Sequence, residues 1–233
     1  VEQLMPGLPA TVPLVICAKG IEQGTCALMT EVVDESSRGQ PIAVLSGPTF
    51  AEEVAAGLPT AITLACSDAR VGDYLIELLG EKRFRPYLSD DPIGAEIGGA
   101  VKNVLAIACG IVVGKKFGDN ARAALITRGI AEMVRLGQAK AAKFETMMGL
   151  SGLGDLTLTC NGPQSRNMSL GMALGEGQTL SEILEERRSV AEGVDTSRSV
   201  IALAQSLNVE MPICDAVNHI LHQGEDVDDV VRA

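Results

Sequence analysis

A positive balance is what this chain most clearly lacks: 19 Lys and Arg stand against 30 Asp and Glu, for a net charge of −11. Nucleic acid is excluded as a partner, because neutralising phosphates needs a basic face. Any anionic ligand has to be drawn in by a local basic cluster, since the global field repels it. Long apolar runs are missing too. The longest, Val104–Gly114, has 11 residues, against the roughly 20 needed to cross a bilayer, so no membrane insertion is expected. No basic n-region with an apolar h-region opens the sequence, which leaves secretion unsupported. The six cysteines, at 17, 26, 66, 109, 160 and 214, contain no C-x-x-C pair. Most lie in apolar stretches and read as buried, reduced thiols of a cytoplasmic protein. Histidine occurs only at 219 and 222. That i, i+3 pair has no third ligand nearby and reads as two plain surface residues, so no metal site is expected. Acid–base work then falls to Lys, Asp, Glu, Tyr or Cys. Finally, no G-x-G-x-x-G is present, so the pyrophosphate-binding turn of a dinucleotide fold is absent from these residues.

What is present is globular: 46% hydrophobic and 21% charged residues over 233 positions, enough for one large or two modest domains. Residues 1–92 alternate strand candidates (Pro13–Ala18, Ile42–Ser46, Thr60–Ala65, Phe84–Leu88) with helical patterns near 25–37, 50–56 and 69–79. Such alternation predicts an α/β unit with a parallel sheet. From Asp91 the strand signals almost vanish. Asp91-Pro92 is a helix start, with Asp as N-cap and Pro at the first position, and this helix is expected to reach about Val113. A second runs from Asp119-Asn120 toward Lys143. Thr179-Leu180-Ser181-Glu182 is a capping box, and two more helices cover 196–207 and 213–222. The division falls at residue 92, with a partial α/β domain (1–92) and an all-α domain (93–233).

Lys102 sits in Ile97-Gly98-Gly99-Ala100-Val101-Lys102-Asn103-Val104, almost free of other charge. Desolvation there disfavours an ammonium, which suits a general base, but a lysine whose stem covers core while its head reaches water reads equally well. The Gly98-Gly99 pair admits close approach of a ligand or another backbone. Gln164-Ser165-Arg166-Asn167 reads as a helix start capped by Ser165, where free N–H groups and a guanidinium favour a phosphate; an ordinary capped helix with an exposed arginine is the alternative. Ala18-Lys19-Gly20 and Ser46-Gly47-Pro48-Thr49-Phe50 follow strands, at the sheet edge where α/β ligands sit, or are plain βα turns. Gly152-Leu153-Gly154-Asp155-Leu156 reads as a flexed turn presenting one carboxylate. Gly110 and Gly114 form a G-x-x-x-G that marks close helix packing.

These motifs, in this order, with Asn120-Ala121-Arg122-Ala123-Ala124-Leu125-Ile126-Thr127-Arg128-Gly129 and Ala191-Glu192-Gly193, closely resemble the bacterial NAD(P)-dependent sn-glycerol-3-phosphate dehydrogenases over nearly the whole chain. The resemblance implies a Rossmann domain followed by an all-α substrate and catalytic domain. It implies hydride transfer between NAD or NADP and C2 of glycerol 3-phosphate, giving dihydroxyacetone phosphate, in a cytoplasmic homodimer that supplies phospholipid synthesis. Lys102 corresponds to the catalytic base. Lys19, Gly47, Thr49, Asn103, Asp155, Ser165, Arg166 and Asn167 correspond to substrate positions, and Lys19, Ala51, Arg166, Val190 and Glu192 to the nicotinamide side. By the family's usual layout about 90 residues carrying the glycine fingerprint would precede Val1, so the 233 residues alone are expected to show no useful turnover. Two alternatives stay open: a β-hydroxyacid-type dehydrogenase, with a carboxylate where the phosphate would lie, and a non-catalytic phosphometabolite-binding module.

Overall fold

The structure is a computed structural model and describes residues 3, 5–162, 164–186 and 191–232. Four strands come first: β1 (Leu14–Ile16), β2 (Ile42–Ser46), β3 (Thr60–Cys66) and β4 (Phe84–Ser89), with α1 (Met29–Ser36), α2 (Ala51–Ala55) and α3 (Ala69–Leu79) between them. They form one sheet in the order β1-β2-β3-β4. Two pairings are parallel, as the alternating pattern predicts. The middle one differs: β2 and β3 run antiparallel, with Ser46 opposite Thr63. The five residues of α2 cannot carry the chain back along the sheet, so it turns at one end and returns beside itself. The α/β reading holds with this one reversal.

Helices follow: α4 (Pro92–Gly114), α5 (Asp119–Ala139), α6 (Phe144–Met147), then a π-helical turn at Leu150–Gly154, α7 (Asp155–Asn161), α8 (Arg166–Gly175), α9 (Leu180–Glu186), α10 (Glu192–Ser206), α11 (Pro212–His222) and α12 (Val227–Arg232). Their starts obey local rules. Asp91 Oδ1 accepts from Gly94 N at 3.0 Å, ahead of Pro92. Ser165 Oγ accepts from Met168 N, and Thr179 and Glu182 cap reciprocally. Two expectations need correcting. The helix expected to reach Lys143 ends at Ala139, because Ala141 takes a left-handed φ of 64° and closes it. The expected glycine turn at 152–156 is instead the π-turn running into α7. It fits because Gly98 and Gly152 lack side chains where the Ser151 and Met147 carbonyls pass.

Helix α4 is the axis of the helical part, and every residue from Gly94 to Val112 is buried. Its 23 residues are long and apolar enough to cross a bilayer, since the helix extends well past the 11-residue run, but here they form the core. On α8, Gly171 and Gly175 meet Gly110 and Gly114 of α4. A Cβ at any of the four would strike the partner helix's backbone, which is the close packing that the G-x-x-x-G implied. Of the cysteines, 66, 109, 160 and 214 are buried as expected. Cys17, just past the end of β1, is exposed, and Cys26 is half-buried. The histidines are not plain surface residues either. His219 stands against Asp215 and Glu225, while half-buried His222 contacts Ser197 Oγ and the Val194 carbonyl, each at 2.9 Å, because α11 packs on α10.

Two buried glutamates tie helices together from a distance. Glu96 of α4 accepts from Thr30 N and Oγ1 at the start of α1, both at 2.7 Å. Glu132 of α5 accepts from Ile213 N at 2.7 Å and Cys214 N at 3.2 Å, capping α11. Glu132→Ala strands the buried N–H of Cys214 and the half-buried N–H of Ile213 and is expected to cost about 2–3 kcal/mol, measured by urea denaturation. The pH dependence has a definite sign. Burial holds the Glu132 carboxyl above its ordinary 4.5, so the folded state favours the neutral acid. Its contribution is fully present below the unfolded value and is lost as pH rises through the higher folded value. Glu132→Gln, neutral throughout, should therefore gain on wild type as pH rises from below 4.5 toward neutrality.

Candidate active site

Strand ends and helix starts converge on one cavity of about 440 Å³. Lys19 arrives from beyond the end of β1, and Thr49 and Ala51 from the start of α2. Lys102 and Asn103 come from the middle of α4, Ser165, Arg166 and Asn167 from the start of α8, and Glu192 from the start of α10. All nine are candidates named from the sequence, and all line this cavity. Asp155 and Gly47 stand behind its wall. Gly47 packs on the backbone of Ile62 and Thr63, where a Cβ would come within 3.2 Å of Ile62 Cα. Val190 lies outside the described residues.

At the floor, Lys102 Nζ donates to Asp155 Oδ1 at 2.5 Å, and the two residues are 7% and 0% exposed. The π-turn is what aims Asp155 at α4, and it can press there because Gly98 offers only backbone to Ser151. Thr159, one turn along α7, donates its Oγ1 to the Asp155 carbonyl at 2.7 Å. Lys19 Nζ lies 3.9 Å from Asp155 Oδ2 and donates to Ser46 Oγ at 3.2 Å. Burial lowers the Lys19 pKa against the pull of Asp155. It raises that of Asp155 against the pull of Lys102 and Lys19.

The wall is a polar chain across three helices. Asn167 Nδ2 donates to Asn103 Oδ1 at 3.0 Å, Asn103 Nδ2 to Glu192 Oε2 at 3.2 Å, and Gly193 N to Asn167 Oδ1 at 2.9 Å. Arg166 pairs with Glu192 at 3.5 Å at the rim. Two helix starts, α8 and α10, face the same space, so backbone dipoles and the cations Lys19, Lys102 and Arg166 favour an anion there despite the acidic chain.

Sequence reasoning missed five lining residues with polar, charged or aromatic chemistry: Cys17, Phe50, Glu52, Thr159 and Gln164. Thr159 follows Asp155 at helical spacing and becomes visible once α7 is recognised. For a nicotinamide, the rim offers a Glu192 carboxylate as acceptor beside the apolar Ala51 and Phe50, which suits a flat ring carrying a carboxamide. The described residues fit that half of a dinucleotide; the glycine turn for the other half is not in this sequence.

Two family models match. NAD-dependent glycerol-3-phosphate dehydrogenase C-terminus covers residues 91–232, and the corresponding N-terminus model covers residues 1–72. The glycerol-3-phosphate dehydrogenase [NAD(P)+] of Parvibaculum lavamentivorans is 61% identical over all of this chain and 70% of its own length. That of Rhodospirillum rubrum is 58% identical over 98% and 65%. The chain therefore spans about two thirds of the length of these curated relatives. The crystal structure of glycerol-3-phosphate dehydrogenase from Coxiella burnetii superposes with a TM-score of 0.94 at 46% identity, over 99% of this chain and 71% of that one. D-mandelate dehydrogenase, at 13% identity and a TM-score of 0.58, shares only the fold. On the match of both family models and the identity to these relatives, the chain belongs to the NAD-dependent glycerol-3-phosphate dehydrogenase family.

Proposed function

We propose that this chain carries the substrate and proton-transfer machinery of an NAD(P)-dependent oxidoreductase interconverting sn-glycerol 3-phosphate and dihydroxyacetone phosphate, supplying glycerol 3-phosphate for phospholipid synthesis. The observation that supports it most is the buried Lys102–Asp155 pair opening on the cavity whose wall is the Arg166 helix start. A bound nicotinamide supplies the hydride acceptor, or donor, for C2. In the oxidising direction Lys102 Nζ takes the C2 hydroxyl proton, and in the reducing direction it returns one to the carbonyl oxygen. Asp155 accepts from the ammonium form and fixes its direction. Ser165, Arg166 and Asn167 hold the phosphate, with Lys19, Gly47, Thr49 and Asn103 around the carbon chain. Lys19, Ala51, Arg166 and Glu192 border the nicotinamide. Fixing both ends of a three-carbon substrate is worth much of the barrier.

The resemblance also supports a cytoplasmic homodimer with its division at residue 92, checked by sedimentation and limited proteolysis. The experiment for the substrate class is isothermal titration of the full-length enzyme with glycerol 3-phosphate, glycerol and 3-hydroxybutyrate. Charge-assisted phosphate contacts should favour glycerol 3-phosphate by about 100-fold or more over glycerol. Equal binding of the two removes the phosphate reading, and a preference for 3-hydroxybutyrate moves the chain to the hydroxyacid class.

A further inference from the structure

Ser46 is the last residue of β2, is 2% exposed, and does not line the cavity. Its one side-chain partner among the described residues is the Lys19 ammonium, 3.2 Å away. Beyond that ammonium stands Asp155 Oδ2, 3.9 Å off, buried and without a hydrogen-bond partner among the described residues. A buried carboxylate oxygen lacking a donor, next to an ammonium on a flexible four-carbon stem, is an arrangement that tends to close. Here it is held open from two sides. The Ser46 hydroxyl draws the ammonium toward the strand end. Gly99 of α4 leaves the room this needs, since a Cβ there would come 3.0 Å from Ser46 Oγ and 3.3 Å from Lys19 Cδ.

We propose that Ser46 is a positioning residue: it holds the Lys19 ammonium short of Asp155, so that the remaining Lys19 donors serve a substrate oxygen in the cavity. This rests on the reading above that Lys19 faces the substrate. Without the hydroxyl, Lys19 closes on Asp155 Oδ2. The ammonium is then spent on a carboxylate inside the protein, and Asp155 divides itself between two lysines.

The test uses the full-length enzyme. Ser46→Ala should raise KM for glycerol 3-phosphate about 10-fold while kcat stays within about threefold. The alkaline limb of the 1/KM profile should move to higher pH, because Lys19 now pairs directly with a carboxylate. Ser46→Cys, close in size but a poor acceptor, should behave like Ser46→Ala and serves if the alanine variant fails to fold. Ser46→Thr keeps the hydroxyl and should restore the wild-type KM and limb. An unmoved KM and limb in both Ser46→Ala and Ser46→Cys overturns the proposal, whatever happens to thermal stability. So does a threonine variant indistinguishable from alanine. Lys19→Ala separates the two layers. If it leaves KM unchanged, the reading of Lys19 as substrate-facing fails; if it raises KM while the Ser46 variants are silent, only the role of Ser46 fails.

Discussion

Lys102→Ala in the full-length enzyme is expected to lower kcat by about 10²–10⁴-fold, the usual contribution of a general acid–base group, while cofactor affinity stays nearly unchanged. The lysine is 7% exposed and donates to an Asp155 that is fully buried. It meets the cavity at its floor, away from the Glu192–Arg166 rim. On the proposed role, a truncation there removes the proton carrier and leaves the rim intact. The π-turn and the contact of Gly98 with Ser151 still aim Asp155 at α4, but its buried carboxylate loses the Lys102 ammonium, which costs stability; thermal denaturation is the control that separates lost folding from lost catalysis. Retention of more than about a tenth of wild-type kcat would return Lys102 to the role of a lysine whose stem covers the core.

Arg166→Ala is the second large effect, and it discriminates between substrate classes. If the Ser165-Arg166-Asn167 helix start holds the substrate phosphate, the substitution removes a charge-assisted contact worth about 2–4 kcal/mol in kcat/KM, or roughly 30- to 1000-fold. Arg166→Lys should recover only part, because an ammonium keeps the charge without the planar fork. Ser165 stays as the N-cap, with its Oγ on Met168 N, so the helix start survives. Glycerol is the control: wild type should use it poorly, and the mutant no worse in proportion. Ionic strength is held fixed, since a net charge of −11 makes anion binding salt-sensitive. Equal damage to glycerol and glycerol 3-phosphate would make Arg166 structural and locate the phosphate elsewhere.

The features legible in the sequence were those with a local physical signature. Asp91-Pro92, Ser165 and the Thr179–Glu182 box each mark a helix start through their own hydrogen bonds. The bounds of β2 and α3 follow from apolar patterning and flanking breakers. The candidate residues come together because their motifs sit at strand ends and helix starts, where chains from distant positions meet. What escaped depends on partners far away in sequence. The direction of β3 is set by how little chain α2 offers for a crossover. The π-turn and α7 form in a glycine-rich stretch that reads as a loop until Gly98 is there to receive it. Ser46 reveals nothing alone, because its contact is with a lysine 27 positions earlier.

The glycine-to-glycine seam between α4 and α8 has a consequence for how far the enzyme's selectivity can be retuned. The two helices run alongside one another from Asn103–Asn167, through Gly110–Gly171, to Gly114–Gly175. No layer of side chains lies between them at the seam to thicken or thin. Lys102 and Arg166 ride on these two helices, so the seam works as a gauge block, with their spacing fixed by main-chain dimensions. Trimming or enlarging residues around the cavity changes its volume but not that spacing. A library confined to the lining residues should therefore yield variants with altered affinity for the three-carbon phosphate, and none that prefers a homologue one carbon longer. Acceptance of the longer homologue would have to begin at Gly110, Gly114, Gly171 or Gly175, where resetting the gauge also disturbs the packing of the core.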